Sequence, residues 1–539
     1  MLAALALKYS IGTPTVQLSA VLRRLSTQRN SLIVMGGFIL SRLTGLIRDI
    51  VASYYFGTSA EIAAYGAAIS TVDLLYLVII GGALGSSFIP VFIELWERER
   101  PARAWELASA VVTWALIVLT IASAGLFVVA PWLAPLLYGG QGFTAATLEL
   151  IVALTRLFLL SPLLLGLGGL AMAALNARDR FTMPALAPSI YNLGITGGAL
   201  LAPWLGIWGM AWGVVIGALG YLLIQLPVLF TIGMRLRPHL GHHLPELGKV
   251  AQAMGPRVIG QAAAHLSIVA TLALAARLPD GDAKLAGLRW AYQLMLLPYG
   301  VFALSLSTVA FPRLARLVAE GRLAELSDDV RTTLGRILWL TLPATAGLLT
   351  LGPALARILF ERGAFDSLSL SYTAGALTGY AFALPAFAAS EIMIRAFYAM
   401  QRTWPPVLIG IGQVTINIGL GATLLVGGGD VSGLAIAFSI ANSLEALALA
   451  IVLGRTLPGL WRAPALWRRL LMAFGASVAV GMLWWYAREL IPGGTPAAGY
   501  RWPDDLAGLL LGLVGAGGVG VIIYAALTIL PGRRRPIQL

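Results

Sequence analysis

SLIVMGGFILSRLTGLIRDIVASYYFG, residues 31–57, is an apolar run that carries Arg42, Arg48 and Asp49 deep inside it. At about 25 residues it is long enough to cross a hydrocarbon core of about 30 Å. A charge at the centre of a bilayer costs at least about 2.5–3.5 kcal/mol on insertion scales, so three within eight residues need compensation. Neither arginine is near a helix end, which leaves little for snorkelling to explain. The stretch therefore reads as a membrane helix whose charged side borders a wet interior, and that requires other helices around it.

The rest of the chain supplies them. Of its 539 residues, 58% are hydrophobic and only 11% charged, and the mean hydropathy is +0.84. These values exclude a set of soluble domains and leave an all-α polytopic membrane protein. Cysteine is absent, which rules out disulfides, thiolate metal sites and thiol nucleophiles. With four histidines, no His-rich metal site is expected. The formal charge of +13 comes from basic residues gathered in short loops, a pattern of membrane topology; no nucleic acid partner is implied.

Apolar windows predict about 14 transmembrane helices, at 31–55, 62–95, 105–137, 146–175, 184–204, 207–233, 252–276, 286–312, 333–359, 369–399, 405–427, 431–454, 469–490 and 505–530. Arginines and lysines recur in alternate loops: Arg23, Arg24 and Arg29, then Arg98, Arg100 and Arg103, then Arg178 and Arg180, and so on to Arg533, Arg534 and Arg535. The positive-inside rule then places both termini in the cytoplasm, which needs an even number of spans. Residues 1–30 lack the charged n-region, long apolar core and cleavage site of a signal peptide and read as a cytoplasmic arm.

The chain also matches itself at an offset of 222. Pro90 falls on Pro312, Pro131 on Pro353, Pro184 on Pro406, Arg100 on Arg322 and Arg180 on Arg402. PWLAPLLYGGQGF (131–143) aligns with PALARILFERGAF (353–365), and ALNARDRFTMPAL (174–186) with AFYAMQRTWPPVL (396–408). A six-helix unit is even, so two copies keep the same orientation and form a parallel repeat. The expected organisation is an arm (1–30), a first lobe (31–233), a linker (234–251), a second lobe (252–454), two added helices (455–530) and a basic tail (531–539). In such a repeat the substrate path lies between the lobes.

Four stretches carry a family resemblance: SRLTGLIRDIVASYYFG (41–57), GGALGSSFIPVF (81–92), ALNARDRFTMPALAPSIYN (174–192) and PYGVFALSLSTVAFPRLA (298–315). Together and in this order they resemble the MurJ (MviN) family of the MOP transporter superfamily, over spans 1 to 12. The resemblance implies a flippase for lipid II, the undecaprenyl-pyrophosphate-linked disaccharide-pentapeptide of peptidoglycan synthesis, in the bacterial cytoplasmic membrane. It also implies a cationic central cavity for the head group and a groove near the last two helices for the lipid tail. The family's helix 1 arginines fall on Arg42 and Arg48, and the adjoining acid on Asp49. Where the family has an acid and an arginine in helix 2, this chain has Ala63 and Tyr76; its helix 8 Asp-Arg pair falls on Tyr292 and Gln293. With those charges missing, another polyprenyl-linked saccharide stands as the alternative cargo, and a drug or cation antiporter of the same superfamily as a further one.

Arginine suits a diphosphate because its planar fork makes paired hydrogen bonds to phosphate oxygens. Arg42 and Asp49 are seven residues apart and share a face; Arg48 points about a third of a turn away. Span 2 runs back and brings Asp73 to a depth of about 16 Å, between Arg48 at about 10 Å and Arg42 at about 20 Å. Asp73 is thus a candidate partner for either, as a structural ion pair or as a counter-ion that substrate displaces. Further cavity or coupling candidates are Arg156 in span 4, Arg257 and His265 two turns apart in span 7, and Glu391 with Arg395, spaced i,i+4 in span 10. Glu445 in span 12 reads either as an acid for ion coupling or as a local pairing partner. LLLGLVGAGGVGV (509–521) offers glycines for close helix packing or for an isoprenoid groove.

No cofactor is implied. There is no GxxxxGK[ST] motif for a nucleotide, and no DxD or HxxxH cluster marks a membrane enzyme. Intramembrane Asp49, Asp73 and Glu391 suggest coupling to membrane potential or to an ion gradient.

Overall fold

The computed structural model describes residues 14–79, 83–97, 101–140, 142–491, 493–495 and 504–529, and every regular element in them is helical. In chain order these are α1 (Pro14–Phe56), α2 (Ala60–Ile79), α3 (Ala83–Glu97), α4 (Pro101–Tyr138), α5 (Ala145–Phe158), α6 (Leu160–Ala177), α7 (Thr182–Leu200), α8 (Ala202–Leu205), α9 (Ile207–Leu223) and α10 (Leu226–Thr231). After the linker come α11 (Pro245–Ala275), α12 (Gly281–Pro298), a π-helical stretch (Tyr299–Leu304), α13 (Ser305–Ala319), α14 (Leu323–Thr350), α15 (Gly352–Phe360), α16 (Ser367–Ala381) and α17 (Leu384–Ala399). The last four are α18 (Trp404–Val426), α19 (Val431–Thr456), α20 (Pro464–Leu490) and α21 (Leu506–Ile529).

Among the described residues, nine helical stretches are long and apolar enough to cross a membrane, or eleven when the bent pairs α14–α15 and α16–α17 each count as one span. Helices also occupy the windows of spans 1, 2 and 5, so the predicted 14 is consistent with this count.

Several boundaries differ from the sequence expectation. α1 starts at Pro14, so most of the expected arm is helical; TVQLSAVLRRLSTQRN contains no glycine or proline to stop it. Span 9 bends by 72° between α14 and α15, and span 10 by 49° between α16 and α17. Pro353 and Pro385 lie in the first turns of α15 and α17, where the missing N–H costs no hydrogen bond. The linker is not a free tether. Leu240 accepts from Trp114 Nε1 at 2.9 Å, and Arg103 donates to Glu246 at 3.1 Å. That hydrogen bond holds the Glu246 carboxyl below the usual range. The expected tail, 531–539, lies outside the described residues.

The offset of 222 reappears in backbone geometry. Thr144 caps α5 through the Thr147 amide, and Asp366 caps α16 through the Ser369 amide. After α6 and after α17 the chain closes with the same turn: Arg180 N donates to Leu175 O at 2.9 Å and Arg402 N to Phe397 O at 2.9 Å. Asp179 (φ 55°) and Gln401 (φ 59°) take the left-handed position in these turns. Leu and Ala matches are cheap in so apolar a chain, but a side-chain N-cap and a left-handed turn residue at equivalent positions in one register record a repeat.

Small residues set how the helices meet. Gly37 and Gly45 bring α1 against Ala185 and Asn192 of α7, and Gly194 meets Gly217 of α9 backbone to backbone. Of the glycines in 509–521, Gly520 takes the Trp484 ring of α20, whose Nε1 donates to Ala516 O at 2.7 Å; Gly515, Gly517 and Gly518 face open space.

The two halves lock together at one end. Ala364 N donates to Tyr54 O at 2.8 Å, Trp290 Nε1 to Gly57 O at 2.9 Å, and the Thr58 and Ser369 hydroxyls lie 2.7 Å apart. Gly57 (φ 53°) supplies the left-handed bend that lets its turn reach Ala364.

Candidate functional site

Away from that lock, three adjoining cavities run through the junction of the halves. The first, about 530 Å³, is bordered by Arg42, Arg48, Asp49 and Asn192. The second, about 350 Å³, shares Arg48 and Gln293 with the first and adds Tyr65, Asp73, His265 and Arg289. The third, about 570 Å³, shares His265, Tyr292 and Phe438 with the second and reaches Glu391, Arg395 and Glu445.

The α1 charges thus border an interior space, as the cost of burying them requires. Their partners differ from those expected. Arg48 folds back on its own neighbour, with Nε and Nη2 on Asp49 Oδ1 at 3.0 and 2.8 Å. Its Nη1 donates to Asn192 Oδ1 at 3.0 Å, while Asn192 Nδ2 donates to Ser41 O at 3.0 Å. A long guanidinium spans the 100° between adjacent helical positions, so the backbone directions did not decide the pairing. Asp73 shares the second cavity with Arg48 instead of pairing with it. Arg42 lies over the Phe38 ring at 5.5 Å and against Gly300 of the π-helical stretch, where a Cβ would come within 3.2 Å of its guanidinium.

Arg289 of α12 is a cavity residue that sequence reasoning passed over. Its guanidinium crosses to the other half and rests over the Tyr65 ring at 5.2 Å. Gly66 makes room, since a Cβ there would fall 2.8 Å from Arg289 Nη1. That Nη1 is buried with no hydrogen-bond partner among the described residues. The signal was available: Arg289 precedes Gln293 by four residues, one turn along the same helix face. One turn earlier in α12, it supplies a guanidinium near the position where the expected helix 8 arginine is missing.

The remaining candidates divide. His265 bridges the halves, its Nε2 2.8 Å from Ser70 O. Glu391 and Arg395 pair at 2.7 Å, with Tyr299 donating its hydroxyl to Glu391 Oε2 at 2.8 Å; both also border the third cavity, so pairing and cavity placement coexist. Arg156 is exposed on the outer surface of α5, over the Phe127 ring at 4.6 Å and donating to Phe127 O, and borders none of the three cavities. The Arg257 side chain lies outside the described residues. Ala63 is packed in the core, and Tyr76 and Tyr292 present rings where charges were expected. Among the described residues no group of three or more His, Asp or Glu side chains could hold a metal.

Three arginines and two aspartates around the first two cavities leave a net positive space open to a hydrogen-bond acceptor. It could take a phosphate or another small anion through paired guanidinium contacts.

Comparison with known proteins bears on which. The family model described as lipid II flippase MurJ matches residues 52–496. The chain is 28% identical to the probable lipid II flippase MurJ of Bdellovibrio bacteriovorus, over 80% of this chain and 83% of that one. It is 27% identical to the probable lipid II flippase MurJ of Vibrio cholerae, over 94% and 96%. Among solved structures, an inward closed lipid II flippase MurJ superposes with a TM-score of 0.74 at 24% identity, covering 93% of this chain and 99% of that one. An inward-facing multidrug MATE transporter of the MOP superfamily superposes with a TM-score of 0.62 at 15% identity, covering 81% and 99%.

Proposed function

Since this chain belongs to the MurJ family, we propose that it moves lipid II across the bacterial cytoplasmic membrane by alternating access, holding the diphosphate between Arg48 and Arg289. The observation that carries the reading is the buried, unpartnered Nη1 of Arg289, a residue that borders the same cavity as Arg48. A buried donor without a partner costs about 1–3 kcal/mol, more when charged; an anion removes that cost.

The two arginines come from opposite halves, residues 31–233 and 252–454, so a diphosphate that bridges them also ties the lobes. Arg48 is held ready by Asp49 and Asn192, and the arriving anion competes with Asp49 for the guanidinium. Arg42 extends the positive surface towards the first cavity. Asp73 and His265 keep the space between the lobes polar. No covalent step is involved. Both termini lie in the cytoplasm, where the basic loops gather. Membrane potential supplies the drive, at about 2.3 kcal/mol per elementary charge per 100 mV.

The test is rescue of a strain depleted of its own lipid II flippase. The parent chain restores growth, whereas Arg48→Ala and Arg289→Ala do not, at unchanged membrane levels. Arg289→Lys rescues poorly, because a point charge cannot replace the planar fork. Rescue by the Arg48→Ala, Arg289→Ala double variant overturns the clamp. Failure of the well-expressed parent chain assigns a different polyprenyl-linked saccharide as cargo.

A further inference from the structure

Arg156 has no place in the passage. It belongs to α5, within a helical stretch (Ala145–Ala177) long and apolar enough to cross a membrane, and it is exposed on the outside of the bundle. Ionisable side chains inside a span are rare and almost always face the interior of a bundle or a water-filled cavity; this one faces the side where acyl chains lie. Its Nε donates to Phe127 O at 3.3 Å and its guanidinium rests over the Phe127 ring at 4.6 Å. Neither contact supplies a negative charge, and among the described residues Arg156 makes no ion pair. Glu149, the acid of α5, is two turns away, about 10 Å along the helix. Both Nη groups are left without a partner among the described residues.

Snorkelling does not account for this position. Phe127 lies eleven residues before the end of α4 and Arg156 eleven after the start of α5, so both are about 17 Å from the turn that joins their helices. The guanidinium therefore reaches sideways, not towards the headgroups. Trp132, five residues further along α4 and 68% exposed, marks the interface, where tryptophans gather; it is about 7 Å above Phe127. A phospholipid phosphate would have to be drawn down by that distance to meet Arg156. A carboxylate on a neighbouring helix is held at the required depth by its own backbone. The surface beside Arg156 also suits a helix: Ala124 and Gly125 are exposed on α4 between Ile121 and Val128, and a Cβ on Gly125 would meet nothing within 4 Å, so another backbone can come close there.

We propose that Arg156 and the α4 face beside it dock a transmembrane helix of a partner protein, one that carries an aspartate or glutamate at the depth of Phe127. The arginine is already in place and uncompensated, so the arriving carboxylate meets a charge that no other group neutralises. Both helices of the site belong to the first lobe (31–233), away from the three cavities. The partner thus rides on one lobe and stays seated while the other moves. The docking site goes beyond the transport reading and does not depend on which cargo is carried.

The experiment uses a synthetic transmembrane helix as its probe: a leucine-rich peptide with one aspartate about 7 Å below the headgroups, beside versions with leucine or lysine at that position. The full chain, which has no cysteine of its own, receives a donor fluorophore at Ala145→Cys and is reconstituted in phosphatidylcholine vesicles with acceptor-labelled peptide. Energy transfer is read against peptide density. The chain with native Arg156 binds the aspartate helix about tenfold more tightly than the leucine helix, the size of one good polar contact between membrane helices. Arg156→Leu removes the preference, Arg156→Gln serves as a second neutral variant, and Arg156→Asp transfers the preference to the lysine helix. Unfolding temperatures establish that the variants are folded. Equal binding of the aspartate and leucine helices by the chain with native Arg156 overturns the docking site, as does a preference that survives in the folded neutral variants. If the chain with native Arg156 retains one phospholipid more than Arg156→Leu on extraction, and the aspartate helix does not displace it, the guanidinium belongs to a lipid phosphate and the proposal falls.

Discussion

Gly142, in the turn after α4, lies against Gly281 at the start of α12 so closely that a Cβ on Gly142 would fall 2.3 Å from the Gly281 nitrogen. The halves close there through backbone, with no space for any side chain. Closure at this end is therefore all or none, because neither main chain can yield by changing a rotamer.

Gly142→Leu is accordingly expected to hold this end open. The chain has no cysteine, so a Thr58→Cys, Ser369→Cys pair reports closure without background; the native hydroxyls are 2.7 Å apart, and a disulfide forms only when the Cβ atoms approach to about 3.5–4.5 Å. Oxidation should cross-link the pair efficiently in the parent chain and several-fold less with Gly142→Leu. Equal cross-linking would show that the glycine contact does not govern closure.

Asn192, 7% exposed, positions Arg48 from α7 and ties α1 through the Ser41 carbonyl. Asn192→Leu should cost about 1–3 kcal/mol of stability, the penalty for leaving buried polar groups unmatched, and should impair rescue. Combined with Arg48→Met, the two stability losses should sum to less than their separate values. Thermal unfolding in detergent measures this; full additivity would mean that Asn192 does not act through Arg48.

Arg357, 2% exposed, pairs with Glu361 and donates to the carbonyls of Gly493 and of Thr495, the latter at 2.8 Å. It pins the chain after α20 to α15. Arg357→Met should destabilise by about 3–5 kcal/mol, chiefly because Glu361 is left without its cation. Adding Glu361→Met should recover much of the loss, and hydrogen exchange should rise at residues 490–495 in both variants. If the double variant is no more stable than the single, the stranded carboxylate is not the cause.

Much of this architecture is legible in the sequence because a bilayer enforces a simple rule: apolar windows near twenty residues must be helices. The duplication is legible through prolines and arginines, the residues that cannot drift freely in such a composition. The site is legible only in part. Arg42, Arg48 and Asp49 stand out because nothing near the middle of a span excuses them. Arg289 sits near the beginning of its window, where an arginine passes for an interfacial anchor, and only the room beside Gly66 reveals that it crosses between lobes. Arg156 misleads in the opposite way: sequence gives its depth but not its face, and α5 turns it outwards onto Phe127. The Arg48–Asp49 pair was hidden by treating side chains as radial spokes, when an arginine is long enough to reach round its own helix.

The π-helical turn Tyr299–Leu304 interrupts the span between α12 and α13. Upstream, α12 carries the lock between the halves through Gly281 and Trp290; downstream, α13 carries the ion pair of Arg313 with Asp329. A π turn holds one residue more than an α turn, so tightening it would rotate α13 by about 100° relative to α12. Arg42, seated on Gly300, would lose its rest in the same movement. Such a turn would act as a swivel within the span, letting its two ends rotate in succession instead of moving as a single rod.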